Sequence, residues 1–265
     1  MKKINFALTV IKIFMKNQIQ NKTYILLDMF NMFSRCFIVF LLYSYVFKIS
    51  GGSINGTDYK TTLWSMFIYF CIMIFNIRRI HKLMMDDVKS GNVEMFLNKP
   101  VNYVILSFYK IIGQGFYSFL VISILGSILM TIFVGLPVLN LKIFIPTFII
   151  TLILGTMLSL ILYSVIGLLS FFIQDVRPIH WIVDKLVMAL GGSYLPVALF
   201  PPLMKFIAFI SPFGAINFAT STVYSTWESE FIIKILLQII WIIIFGILLK
   251  LTYKKARKKA MINGG

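Results

Sequence analysis

The chain has 265 residues, 59% of them hydrophobic and only 13% charged, with a mean hydropathy of +0.91. Soluble domains carry about a quarter charged residues, so this composition is that of an integral membrane protein, and no polar stretch approaches the ~50 residues that a separate soluble domain requires. The formal net charge of +16 would suggest nucleic acid in a soluble protein, but the Lys and Arg cluster at the ends of apolar segments, where they set topology and meet anionic lipid, which argues against a nucleic-acid partner.

In chain order, Ile4, Leu8, Ile11 and Met15 share one helical face, with Lys12, Lys16 and Lys22 elsewhere. This predicts an interfacial helix over residues 1–23 that lies on the membrane. The same lysines interrupt any signal-peptide core, so a cleaved leader is not expected. A bundle of six spans over residues 24–251 follows. The first runs roughly from Tyr24 to Phe47, long enough for a bilayer that needs about 20 residues. A turn-rich loop, Lys48 to Lys60, leads to a second span, Thr62 to Ile80.

Arg78 to Pro100 is the longest charge-dense run between two apolar segments. Ile80, Leu83, Met84 and Val88 fall on one helical face, and His81, Lys82, Asp86 and Lys89 on the other, as in a short amphipathic helix. Gly91 ends it. A further turn or two, with Val93, Phe96 and Leu97 apolar and Glu94 exposed, stops at Pro100. Two readings fit: a connector resting on lipid headgroups, or a docking surface.

Asn102 to Val134 is a third apolar run of about 33 residues, which must tilt or project beyond the bilayer. Ile143 to Ile173 is a fourth span, and Gln174 to Lys185 a second polar connector. Leu186 to Phe213 is broken by Gly191-Gly192, Pro196, Pro201-Pro202 and Pro212. One straight helix cannot carry these breaks, so a fifth span to about Tyr194 and then a re-entrant element are expected. Phe231 to Leu251 is the sixth span, and residues 252–265 form a basic tail. Placing both termini and both connectors on one side puts 18 Lys and Arg there, against about 4 on the other. By the positive-inside rule that side is cytoplasmic and the re-entrant element is extracytoplasmic.

No GxxxxGK[ST], HExxH or GxSxG pattern is present, and the two histidines, His81 and His180, stand about 100 residues apart. These absences argue against a nucleotide site, a metal site and an enzyme. Cys36 and Cys71 lie in apolar segments and read as small buried hydrophobes. Among ionisable residues within spans, Asp28, Lys110 and Lys234 lie near span ends and can snorkel. Arg35 sits near the midplane with Asn31 and Ser34 one turn below; it serves either a substrate path or subunit interface, or a structural hydrogen bond to carbonyls or Asn31. Gln114, between Gly113 and Gly115, is a weaker path candidate, since the glycines fit close helix packing. Midplane acids suited to an ion-driven carrier are missing, so any energy for transport comes from a partner.

The run Val88-Lys-Ser-Gly91-Asn-Val-Glu94-Met-Phe-Leu97-Asn-Lys99-Pro100 resembles the segment after the second span of ABC-2-type transporter permeases. Gly192-Ser-Tyr194-Leu-Pro196-Val-Ala-Leu-Phe200-Pro201 is similar to the segment leaving their fifth span. The resemblance implies an exporter permease that pairs with a second permease, identical or homologous, and docks separate ABC ATP-binding subunits that hold the ATP. It makes Met84 to Phe96 the principal coupling helix, with Asp86, Asp87, Gly91, Glu94 and Phe96. Gln174 to Asp184 becomes a minor one, with Asp175 and Arg177. Leu195 to Phe213 becomes the extracellular re-entrant gate, with Tyr194, Pro196, Phe200 and Pro201, while Asn31, Arg35 and Gln114 are the residues read above as candidates for the translocation path. The abundance of Lys, Ile and Asn points to an AT-rich bacterial genome. The competing class is a non-transporting membrane scaffold or assembly factor.

Overall fold

With no water in a bilayer core, long apolar runs must satisfy their backbone groups internally, and here they do so as helices. The computed structural model describes residues 2–97, 101–137 and 139–263 of an all-α membrane protein. The helices are α1 (Lys2–Gln20), α2 (Lys22–Ile49), α3 (Tyr59–Ile74), α4 (Ile80–Lys89), α5 (Asn92–Leu97), α6 (Tyr103–Phe133), α7 (Leu141–Leu168), α8 (Arg177–Leu190), α9 (Pro202–Ile210), α10 (Pro212–Ala215) and α11 (Trp227–Asn263). A two-residue hairpin, Ser53–Ile54 with Thr57–Asp58, joins α2 to α3. Among the described residues, five segments are long and apolar enough to cross a membrane: α2, Tyr59–Lys89, α6, Leu141–Phe171 and Trp227–Ala260.

Contacts between distant residues sort the bundle into two ends. At the basic end, Tyr103 donates its hydroxyl to Asp87 (2.8 Å), and the Lys259 ammonium stands 5.3 Å from the centre of the Phe172 ring. At the opposite end, Trp64 Nε1 donates to the Gly135 carbonyl (2.9 Å) and Trp227 Nε1 to Thr147 Oγ1 (2.9 Å). The main core packs α4, α6, α7, α8 and α11 around Met84, Tyr103, Leu158, Tyr163 and Leu168.

One element differs from the sequence expectation, and two more make contacts that the sequence pattern does not show. The first is the stretch from Gln174 to Lys185, expected as a polar connector, most of which belongs to α8. Asp175 Oδ1 accepts the Arg177 N–H (2.9 Å) just before it, Pro178 lies in its first turn, and α8 closes at Gly191 after 14 residues. At 1.5 Å per residue it is only ~21 Å long, so it does not reach across a ~30 Å hydrocarbon core by itself. The second is the basic tail after Leu251, which continues α11 as helix, with Ala256 fully buried against the core.

The third is α1, which packs along the first half of α6 through Ala7, Val10, Ile11, Phe14 and Met15, while Leu8 stays exposed. Its apolar arc is wide enough to meet protein at its centre and lipid at its flanks, with Asn5, Thr9, Lys12 and Lys16 on the polar side. The approach is close because α6 offers glycines. A Cβ on Gly113 would lie 2.6 Å from the Ile11 carbonyl, and one on Gly115 would collide with the Phe75 carbonyl. The glycines around Gln114 therefore serve packing on two different neighbours.

The segment between α8 and α11 forms a hairpin that dips into the bundle. Lys205 on α9 faces the same cavity as Glu230 and Lys234, near the start of α11. One turn beyond it, the Ile210 carbonyl accepts from Trp241 Nε1 (3.0 Å), two turns deeper along α11. Ser211 Oγ caps α10 by accepting the Gly214 N–H (3.0 Å). Gln238 Nε2 holds the return strand by donating to the carbonyls of Ala215 (2.8 Å) and Thr151 (3.1 Å). A 3₁₀ segment, Phe218–Val223, then leads back to Trp227.

Candidate functional site

The site builds from a break in the second long helical segment. α3 ends at Phe75, and Asn76 takes a left-handed conformation (φ 56°), which Asn tolerates better than most residues. A 3₁₀ turn, Ile77–Arg79, then sends the chain into α4. Ile80, Met84 and Met85 are buried, each contributing roughly 2 kcal/mol through area removed from water. Ser90 and Gly91 (φ +72°) close the helix as expected.

The sequence pattern put His81 on the solvent side of α4, but α8 covers that side. The His81 and His180 rings stack with centroids 3.5 Å apart and planes 16° apart. His81 Nδ1 lies 2.5 Å from the Arg78 carbonyl; a carbonyl only accepts, so Nδ1 carries the proton. Beside the stack, Arg78 Nη1 donates to both oxygens of Asp184 (2.7 and 2.9 Å), and the Tyr163 hydroxyl donates to Asp184 Oδ1 (2.9 Å). The Arg78 and Asp184 side chains are only 24% and 15% exposed. One carboxylate on α8 thus binds the turn before α4 and the end of α7 together. Periodicity along one stretch carries no trace of this contact across 106 residues. A usable signal was that Asp184 is the single acid between Val176 and Trp227, and a lone carboxylate in an apolar helix calls for a cation.

The predicted coupling residues fall in distinct places. Asp86 is exposed, as are Lys82 and Lys89. Asp87 is half-buried and accepts from Tyr103, so its carboxylate is engaged inside the protein. Asp175 and Arg177 form an exposed bidentate pair (2.5–2.9 Å). Hydrogen bonds from the Arg177 side chain and N–H hold the Asp175 carboxyl down to about 2. The side chains of Glu94 and Phe96, and residues Asn98, Lys99 and Pro100, lie outside the described residues. What the fold adds is juxtaposition: His81, Lys82, Met85, Asp86 and Lys89 from one stretch meet Arg177, His180 and Trp181 from another around a cavity of about 340 Å³. Trp181, unremarked in the sequence, is 66% exposed at its rim.

The predicted path residues do not converge within one chain. Asn31 and Arg35 both point away from the bundle on α2. Asn31 Nδ2 donates to the Leu27 carbonyl (2.9 Å), and no hydrogen bond or ion pair of Arg35 occurs among the described residues. Gln114 is half-buried between α1 and the end of α3. Of the residues predicted for the gate, Tyr194 and Pro201 are exposed, while Pro196 and Phe200 are buried. Lys234, expected to snorkel, is instead buried and paired with Glu230 (2.8 Å). No group of three or more His, Cys, Asp or Glu capable of holding a metal occurs among the described residues.

A family model described as ABC-2 family transporter protein matches residues 4–264, nearly the whole chain. The sequence matches no individual curated protein.

Removing one partner of a buried ion pair leaves the other charge uncompensated. Asp184→Ala should therefore lower stability by roughly 3 kcal/mol, read as a lower thermal midpoint of the purified protein in detergent. The double variant Arg78→Met with Asp184→Leu should recover most of that loss. An unchanged midpoint for Asp184→Ala would show that the pair does not hold α4 to α8.

Proposed function

Because the chain belongs to the ABC-2 transporter family, we propose that it is the permease subunit of an ATP-driven exporter in a bacterial cell membrane. In this reading the chain binds no nucleotide. A separate pair of ABC ATP-binding subunits hydrolyses ATP, and a second permease, identical or homologous, completes the translocation path.

The observation that carries the reading is the single surface made from two remote stretches at the basic end. Asp86 and Lys89 of α4 and Arg177 and Trp181 of α8 border one groove with both charge signs on its rim, the composition of a surface that selects a polar protein partner. A helix transmits a displacement at fixed length, whereas a Gly/Ser loop would absorb it. Closure of the ATP-binding subunits around α4 and α8 displaces both together, because Asp184 joins them. The movement reaches α3 through the Asn76 turn and α6 through Tyr103 and Asp87.

Orientation follows from the positive-inside rule, with both termini and the basic end in the cytoplasm. The chain changes ends between Val176 and Trp227, so α8 together with residues 191–201 supplies a sixth crossing despite the short helix. The hairpin of α9 and α10 then lies in the outer half of the bilayer as the gate, entered through Tyr194, Pro196, Phe200 and Pro201. Arg35 and Asn31, facing outward near the midplane, are placed to line the path shared with the second permease, since a bare guanidinium in hydrocarbon is too costly to leave unpartnered.

Two experiments test this reading. Co-purification should recover a P-loop ATPase with the intact protein and lose it when residues 84–96 are replaced by Gly/Ser. Gly91→Pro, which forbids the positive φ, should cut transport roughly tenfold while ATP hydrolysis continues, the size of a ~1.4 kcal/mol coupling loss. Unimpaired coupling in that variant would remove the docking assignment, and an unaltered phenotype with an ATPase-dead partner would favour the scaffold. Arg35→Ala should lower transport by a similar factor with normal membrane insertion; full activity would take Arg35 out of the path.

A further inference from the structure

A second cavity, also of about 340 Å³, lies at the end opposite the docking surface, between α9, the 3₁₀ segment Phe218–Val223 and the start of α11. Its polar lining is unusual for a membrane segment. The Lys234 ammonium is buried, 2.8 Å from Glu230, and stands 5.7 Å from the Phe218 ring centre and 5.3 Å from that of Trp227. Lys205 stands exposed at the mouth. Asn217 also borders the cavity, but its Nδ2 is fully buried against Gly191 at the end of α8.

These groups define what can fill the space. Two ammonium groups against one carboxylate leave a net single positive charge. A lysine ammonium carries three N–H, and Glu230 occupies one of those on Lys234. An anionic oxygen satisfies the spare lysine protons by charge-assisted hydrogen bonds. A neutral or cationic group leaves the charge uncompensated. Outside the mouth, Leu203, Phe206, Ile207 and Ile210 of α9 are exposed and apolar, a track that suits an acyl chain lying in the bilayer beside the helix.

We propose that this cavity binds the anionic phosphate headgroup of an acyl-chain amphiphile, with the headgroup held by Lys234 and Lys205 and the chain lying along α9. The amphiphile is either a resident phospholipid or a cargo molecule on its way through. The site rests on the cavity and its lining alone and holds whether or not the chain is an exporter subunit.

The test is retention of lipid by the full chain reconstituted in nanodiscs of phosphatidylcholine doped with phosphatidylglycerol, counted by native mass spectrometry after transfer to detergent. The wild-type chain should keep phosphatidylglycerol in preference to phosphatidylcholine. Lys205→Gln and Lys234→Gln should each lower that retention about tenfold, the scale of one charge-assisted hydrogen bond, whereas Lys142→Gln, an exposed lysine at the same end, should not. Lys205 is exposed, so its variant keeps the test valid if Lys234→Gln fails to fold. Equal retention by wild type and both variants, or equal retention of the two lipids by wild type, overturns the proposal. Adding MgATP to the complex with its ATPase separates the sources: loss of the bound amphiphile identifies cargo, and persistence identifies a resident lipid.

Discussion

The arrangement of this protein at its basic end depends on one carboxylate. Asp184 is drawn out of water by its position two turns into α8, and the loss of hydration is offset only because Arg78 Nη1 donates to both of its oxygens and Tyr163 adds a third hydrogen bond. An ion pair of this kind is weak evidence for stability in itself, since an apolar replacement of the same shape often does as well. What it contributes is register. Only one seating of α8 against α4 and α7 satisfies both charges, and that seating brings the two histidine rings face to face and places Trp181 beside Asp86.

The consequence runs along α8 in both directions. Towards the basic end, the helix opens on Asp175 and Arg177, whose exposed pair completes the groove with α4. Towards the other end, Val187 packs in the main core and Gly191 presses against the Asn217 side chain so closely that a Cβ there would collide with it. Asn217 in turn lines the cavity of Lys205 and Lys234. A single 14-residue helix therefore touches the proposed docking surface and the re-entrant hairpin, through contiguous packed side chains of the kind that carry coupling between distant sites. Under the proposed role, the ATP-binding subunits act on the outer gate through α8, and the shortness of this helix, which leaves the far half of that crossing to irregular backbone, gives the gate freedom to move.

What the sequence made legible was whatever depends on local pattern. Apolar length located five long helical segments, because hydrocarbon forces the backbone into helix wherever a run is long enough. Gly91 and the prolines marked the end of α4 and the broken region before α11, because φ limits are properties of single residues. Non-local contacts were hidden. His81 reads as a solvent-facing residue until α8 covers it, and Lys234 reads as a snorkelling lysine until Glu230, one turn away, and the rings of Phe218 and Trp227 enclose it. The boundary of α8 was misplaced for a related reason: Arg177, His180, Asp184 and Lys185 punctuate its first half, and charge in a membrane protein reads as a connector. Arg35 illustrates the reverse case. Its midplane position was evident from the sequence, and the structure adds that it points away from its own chain.

Under the proposed role, α4 and α8 move as one body under the load of nucleotide binding. Pulsed electron spin resonance between labels at Lys82 and Lys185, both exposed on these helices, measures that directly in a complex with the proposed ABC ATP-binding subunits. The distance distribution should keep its mean and width between the nucleotide-free and ATP-bound states, while a second pair, Lys185 with Lys22 on α2, shifts. A change in the Lys82 to Lys185 distance on ATP binding would contradict the claim that Asp184 locks the two helices together.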